Sequence, residues 1–269
     1  MDETMAQSLH GSRLVRLLSD LNLSDTGNSG YHFGEKFAQL LHFLGAVNLS
    51  EVLKAPVAAR FTRSDGSGAA VRRAFLSGQT DLVRWIAGSF LPATAHRKDR
   101  LPTAESLNHH CHVTGAFPLN HRKKSKPHAA VHEPYRQFYI GRQRMLDVRV
   151  QHLRSDIRNR IAGLSPELAK LARFDRVLAE SLAAVPQEIL ARVPFFLERH
   201  FNRLLEKYWH ALPENPAPAD LEPWMAPGGW ITTFCGHMRE FLFAELEIRL
   251  QPVAGMIDAL PEPAPGSIK

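Results

Sequence analysis

The sequence predicts an all-α protein: a C-terminal antiparallel helix bundle with a long arginine-rich helix, plus a smaller N-terminal helical region. Three observations carry this. Apolar residues recur at spacings of three and four over several stretches, the period of an amphipathic helix. No stretch sustains the period-two alternation with β-branched enrichment that marks a strand. Prolines collect in two breaks, four within 92–132 and five within 213–229, where they punctuate helices rather than enter them.

Leu14, Leu17, Leu18 and Leu21 form the first stripe, so a short helix is expected from about 12 to 23 with Ser12 as its N-cap. The small polar segment 24–30 breaks it. Phe33, Phe37, Leu40, Leu41 and Leu44 rebuild the period to about 45, and a further turn follows at 48–55 before Pro56. From Ala69 to Phe90, Val71, Phe75, Leu76, Leu82, Val83, Ile86 and Phe90 again read as helix, one or two depending on Gly78. Residues 92–132 hold seven histidines and the basic run His121–Lys126, with few apolar residues and no period. That stretch reads as a linker or disordered loop dividing 1–91 from a bundle at 133–260.

Glu133 and Pro134 read as a helix start, since proline suits the first turn and acid complements the dipole there. Tyr135, Phe138, Tyr139, Leu146, Val150, Leu153, Ile157 and Ile161 then follow a heptad-like seam, interrupted by Arg142. Ser165-Pro166-Glu167 opens a second helix with Leu168, Leu171, Phe174 and Leu178 as its stripe. A third follows Pro186, with Pro194 expected to kink or restart it. Residues 213–229 read as a loop or docked extended segment, Trp230 to about Leu260 as the last helix, and 261–269 as a fraying tail.

Composition bounds the function. At 44% hydrophobic and 22% charged, the 269 residues are ordinary for a globular chain and exclude collagen-like and wholly disordered classes. Two cysteines, Cys111 and Cys235, give no disulfide framework and fit a reducing compartment. No apolar run approaches the ~18 residues of a membrane span, and the N-terminus lacks a signal-peptide pattern. A cytoplasmic location without a transmembrane segment is expected.

The net charge of +6 is unevenly placed. Residues 96–160 carry 14 Lys/Arg against 5 Asp/Glu, whereas 161–269 carry 10 against 14. Such asymmetry fits either an anionic partner or complementarity within the fold. Candidate contacts are Arg122, Lys123, Lys124 and Lys126 of the basic run, with Arg136, Arg142, Arg144, Arg149, Arg154 and Arg158 of the long helix. These arginines wrap widely around the helix, so some must flank the seam and pair with neighbouring acids. Glu167, Glu180, Glu188, Glu198 and Glu206 are the acids available for that.

Chemistry is sparse. His109-His110-Cys111-His112 is rich in metal-ligand types, but adjacent residues rarely aim at one point, whereas structural zinc sites draw on separated pairs. Cys235 and His237 stand two apart on a helix and face different sides. Glu240, Glu245 and Glu247 do not repeat a di-iron Glu-x-x-His pattern. SDGSG at 64–68 lacks the lysine and setting of a phosphate loop. No catalytic constellation, metal site or cofactor is legible.

Three stretches, 11–25, EPYRQFYIGRQRMLDVRVQHLRSDIR (133–158) and EFLFAELEIRLQPVAGMIDAL (240–260), resemble a proteobacterial family of uncharacterised proteins, domain-of-unknown-function family 3348. The resemblance carries no activity. It implies an accessory subunit on the cytoplasmic side of an envelope complex with an OmpA/MotB-like protein and a coiled-coil inner-membrane partner. The function expected is therefore a non-catalytic helical adaptor binding another protein, most simply a helical or coiled-coil one. Nucleic-acid binding through the basic run and the same arginines is the alternative, and steep salt dependence would mark it.

Overall fold

Within the described residues, the apolar stripes read above condense into helices. The computed structural model describes residues 13–21, 67–91, 101–117, 128–182 and 190–261. They form α1 (Arg13–Asp20), α2 (Ser67–Ser89), α3 (Ala104–Val113), α4 (His128–Ala162), α5 (Pro166–Leu182), α6 (Val193–Tyr208), α7 (Pro218–Met225) and α8 (Trp230–Asp258), with a 3-10 turn at Trp209–Ala211. No strand occurs among the described residues, so the all-α class holds. The Ser12 cap, the elements expected within 24–55, the basic run and most of the tail lie outside the described residues.

α4 and α8 form the centre, and their residue pairs climb together. His132 and Tyr135 meet Phe234, Tyr139 and Gln143 reach Glu245, and Asp147 meets Arg249. These two helices are therefore parallel. Around them α2 and α6 run the opposite way: Phe90 stacks edge-on against Phe138 while Trp85 lies beneath Arg149, and Phe201 sits against Tyr135 while Gln143 reaches the Leu190 carbonyl. α5 returns along α4 after the short turn at Gly163–Ser165. α1 is held to α8 by Arg13, which pairs with both Glu240 and Glu247.

One hydrophobic core joins all of this, from Leu14 and Ile86 through Leu146 to Leu260. The break at 92–132 thus divides the sequence without dividing the core. Nor is that stretch without regular structure. Residues 104–113 are the helix α3, begun by a Thr103/Ser106 capping box and ended near Gly115, whose φ of 71° is a left-handed conformation that glycine adopts at little cost. Its Leu107 and Cys111 are fully buried.

The second break corrects likewise. Residues 218–225 fold as α7, with Pro218 at its first position and the Ala217 amide donating to Asp220 Oδ2 at 2.8 Å. α3 and α7 lie against each other, and Asn108 Nδ2 donates to the Pro216 carbonyl at 2.8 Å in a buried contact. Each supplies the cover that the other's few apolar residues need.

α4 also begins earlier than Pro134 suggests. It starts at His128 and carries Pro134 inside. An internal proline costs a helix about 3 kcal/mol. Burial of Val131 and His132, at 1% and 2% exposure, works against that cost. Pro194, by contrast, stands in the first turn of α6, so it restarts the chain rather than kinking it. Gly78 leaves α2 unbroken and lets it approach α4: a Cβ there would lie 2.5 Å from Leu153 Cδ1.

Candidate functional site

The long helix has an inner edge and an outer edge, and their chemistry differs. On the inner edge, α8 carries Glu245 with 0% exposure. Its Oε1 accepts from the Tyr139 hydroxyl at 2.7 Å and from Gln143 Nε2 at 2.8 Å. Gln143 also donates to the Leu190 carbonyl at 2.8 Å. Arg249, one turn on, reaches Glu245 Oε2 at 3.4 Å and pairs with Asp147 of α4.

Burial pushes the Glu245 carboxyl up, while Tyr139, Arg249 and Gln143 pull it down. Burial also raises the Tyr139 phenol, and the neighbouring carboxylate adds to that. These groups converge, but on one another inside a sealed helix interface and not around an opening. They fix the register of α4 on α8. Sequence reading passed over Glu245 as a scattered carboxylate. The available signal was its place on the apolar stripe beside Phe241, Leu242 and Leu246.

The candidate arginines divide sharply. Arg154 makes a forked contact with Asp175 of α5, Nε at 3.1 Å to both oxygens and Nη2 at 2.6 Å, and Arg158 Nε reaches the same carboxylate at 2.9 Å. All three side chains are nearly buried. The expected pairing with an acid on a neighbouring helix thus occurs for Arg154 and Arg158, through Asp175. Arg142 is buried with its guanidinium 5.2 Å from the Phe138 ring centre and 5.7 Å from Trp85. Its charge therefore belongs to the seam instead of breaking it. Arg149 also lies over Trp85, 4.9 Å from the ring centre. Arg136 is half-buried, 3.5 Å from Glu133. Arg144 is exposed. Arg122, Lys123, Lys124 and Lys126 lie outside the described residues.

The histidine-cysteine run is dispersed by the helix that holds it. His109 and His112 face out, Cys111 faces in, and His112 stacks edge-on against Phe117. Burial pushes the Cys111 and Cys235 thiols up to about 12, so they stay protonated and poorly nucleophilic. No group of three or more His, Cys, Asp or Glu side chains able to hold a metal occurs among the described residues.

A second imidazole group was not legible. His132 and His200 flank Phe234, and His200 Nε2 lies 2.9 Å from His237 Nδ1. Burial lowers the His132 and His200 rings to about 4 and the His237 ring by less, with Glu240 opposing it. The gap beside them, bounded by His132, Tyr135 and Met238, is too narrow to admit a water molecule. Ligand pockets are commonly ~300–1,000 Å³.

The outer edge of α4 is another matter. Met145 and Val148 are 46% and 63% exposed there. No helix among the described residues is long and apolar enough to cross a membrane. A family model described as "Protein of unknown function (DUF3348)" matches residues 1–262. No curated protein and no solved structure matches.

Proposed function

The chain belongs to that family of proteins of unknown function, and we propose that it is a non-catalytic helical adaptor, an accessory subunit that binds another protein. The observation that carries this is the contrast within α4. Its inner edge is locked to α8 by Tyr139, Gln143 and Asp147 and to α5 by Arg154 and Arg158, which makes a stiff rod about 50 Å long at 1.5 Å per residue. Its outer edge presents Met145 and Val148 to solvent. A rigid element with exposed apolar side chains is how a scaffold offers a surface to a partner. Following the sequence resemblance, the partner is sought on the cytoplasmic side of an OmpA/MotB-like envelope complex.

The nucleic-acid reading draws less support from the helix. Arg142, Arg154 and Arg158 are engaged by aromatic rings or by Asp175, so their charges are not presented to a phosphate backbone. A photo-crosslinking residue at position 148, activated in cells of origin, separates the two readings. An adduct that survives nuclease and is removed by protease is expected. A nuclease-sensitive adduct, or none, contradicts the adaptor.

A further inference from the structure

α4 carries a second heptad seam. Gly141, Met145, Val148, His152, Ser155 and Asn159 follow a 4-3-4-3-4 spacing, and all six are exposed. The first seam, through Tyr139, Leu146, Val150 and Ile157, is buried by α4's own neighbours; this one is covered by nothing among the described residues. It runs about 27 Å. Gly141, where an added Cβ would meet open space, stands at one end, the polar Ser155 and Asn159 toward the other, and the apolar pair between them.

Its charge selects an occupant. Arg144 borders the seam on one side and Arg149 on the other, both exposed; Arg149 also lies over Trp85 but, unlike the buried Arg142, keeps its charge at the surface. No seam position is acidic, and the acids nearby on α4 face other partners, Asp147 with Arg249 and Asp156 with Arg160. A second copy of this chain laid on the same face would bring Arg144 and Arg149 against their own counterparts, which like-charge repulsion opposes. A helix with glutamates beside its apolar stripe would meet both arginines with opposite charge.

We propose that this seam of α4 is the docking groove for a single amphipathic helix of a partner protein, with apolar a and d positions and acidic flanks. The proposal rests on the adaptor reading and names its partner's chemistry. The occupant lays its apolar stripe over Met145 and Val148 while its carboxylates reach Arg144 and Arg149.

The test uses the full chain and a fluorescent synthetic helix of about three heptads, with leucine at a and d and glutamate at e and g. Its twin carries lysine at e and g. Anisotropy titration is expected to show the glutamate helix binding at least about tenfold more tightly than the lysine helix. Val148→Asp should weaken the glutamate helix by about as much, while Val148→Leu leaves it bound and circular dichroism shows both variants folded. Equal binding of the two helices, no binding of either, or indifference to Val148→Asp overturns the proposal. So does a concentration-dependent dimer in sedimentation that Val148→Asp dissolves, because the occupant is then a second copy. A protein adduct at position 148 together with failure of the glutamate helix would sink this groove and leave the adaptor standing.

Discussion

Leu146 and Val148 are two residues apart on one helix and belong to different surfaces. Leu146 has 0% exposure and Val148 63%. Both sit on seams with coiled-coil spacing, yet one seam is filled by the protein itself and the other is left open. Spacing alone therefore states that a seam exists and not what covers it. The difference lies in what flanks each one. Beside the inner seam, arginines meet Asp175 and the Trp85 and Phe138 rings; beside the outer one, Arg144 and Arg149 are exposed.

The sharpest way to break this comparison is a charge on each side. Leu146→Asp places a carboxylate in a sealed core, at a cost of several kcal/mol, and should leave the chain insoluble or lower its Tm by more than about 10 °C. Val148→Asp should change stability by less than about 0.5 kcal/mol. Equal melting of the two variants by calorimetry would erase the distinction between the edges.

Acid tests the inner side next. His132 and His200 have folded-state pKa values near 4 against an ordinary 6.5, so unfolding takes up protons below that ordinary value. The stability they contribute is full above about pH 6.5 and falls as pH drops toward 4, by roughly 3 kcal/mol for each at the lower end. Glu245 works the other way, since its raised carboxyl gains a proton more readily when folded. A difference measurement removes it. His132→Phe should lose about 2 kcal/mol less than the parent between pH 7 and pH 5 in denaturant titrations. Parallel losses would mean that His132 is not held neutral in the core.

How much of this was legible follows the same physics. The long helices were visible because a stripe of eight or more apolar residues repeats often enough to reveal its period. α3 and α7 were not, because helices of ten and eight residues bury only two or three side chains each. Their stability comes from docking onto one another, through contacts such as Asn108 to Pro216, which local sequence does not display. The start of α4 was misread because Pro134 is a strong local signal that tertiary burial of Val131 and His132 outweighs. Asp175 was missed through a small rotation of α5. Of the stripe Leu168, Leu171, Phe174 and Leu178 only Leu168 is buried, and the buried set of α5 is Leu168, Ala169, Ala172 and Asp175. The arginines of α4 draw that aspartate inward. The arginines of α4 are visible in the sequence, but which are engaged and which exposed depends on Trp85 and Asp175, which lie on other helices.

Methionine oxidation reads the central claim, that the outer edge of α4 is open and takes an acidic helix. Met145 is 46% exposed, while Met238 and Met256 are at 1% and 2%. Dilute peroxide followed by mass spectrometry should oxidise Met145 well before those two, and a saturating glutamate-flanked helix should protect it. Oxidation of Met145 no faster than of Met238, or undiminished when that helix is present, would contradict the account.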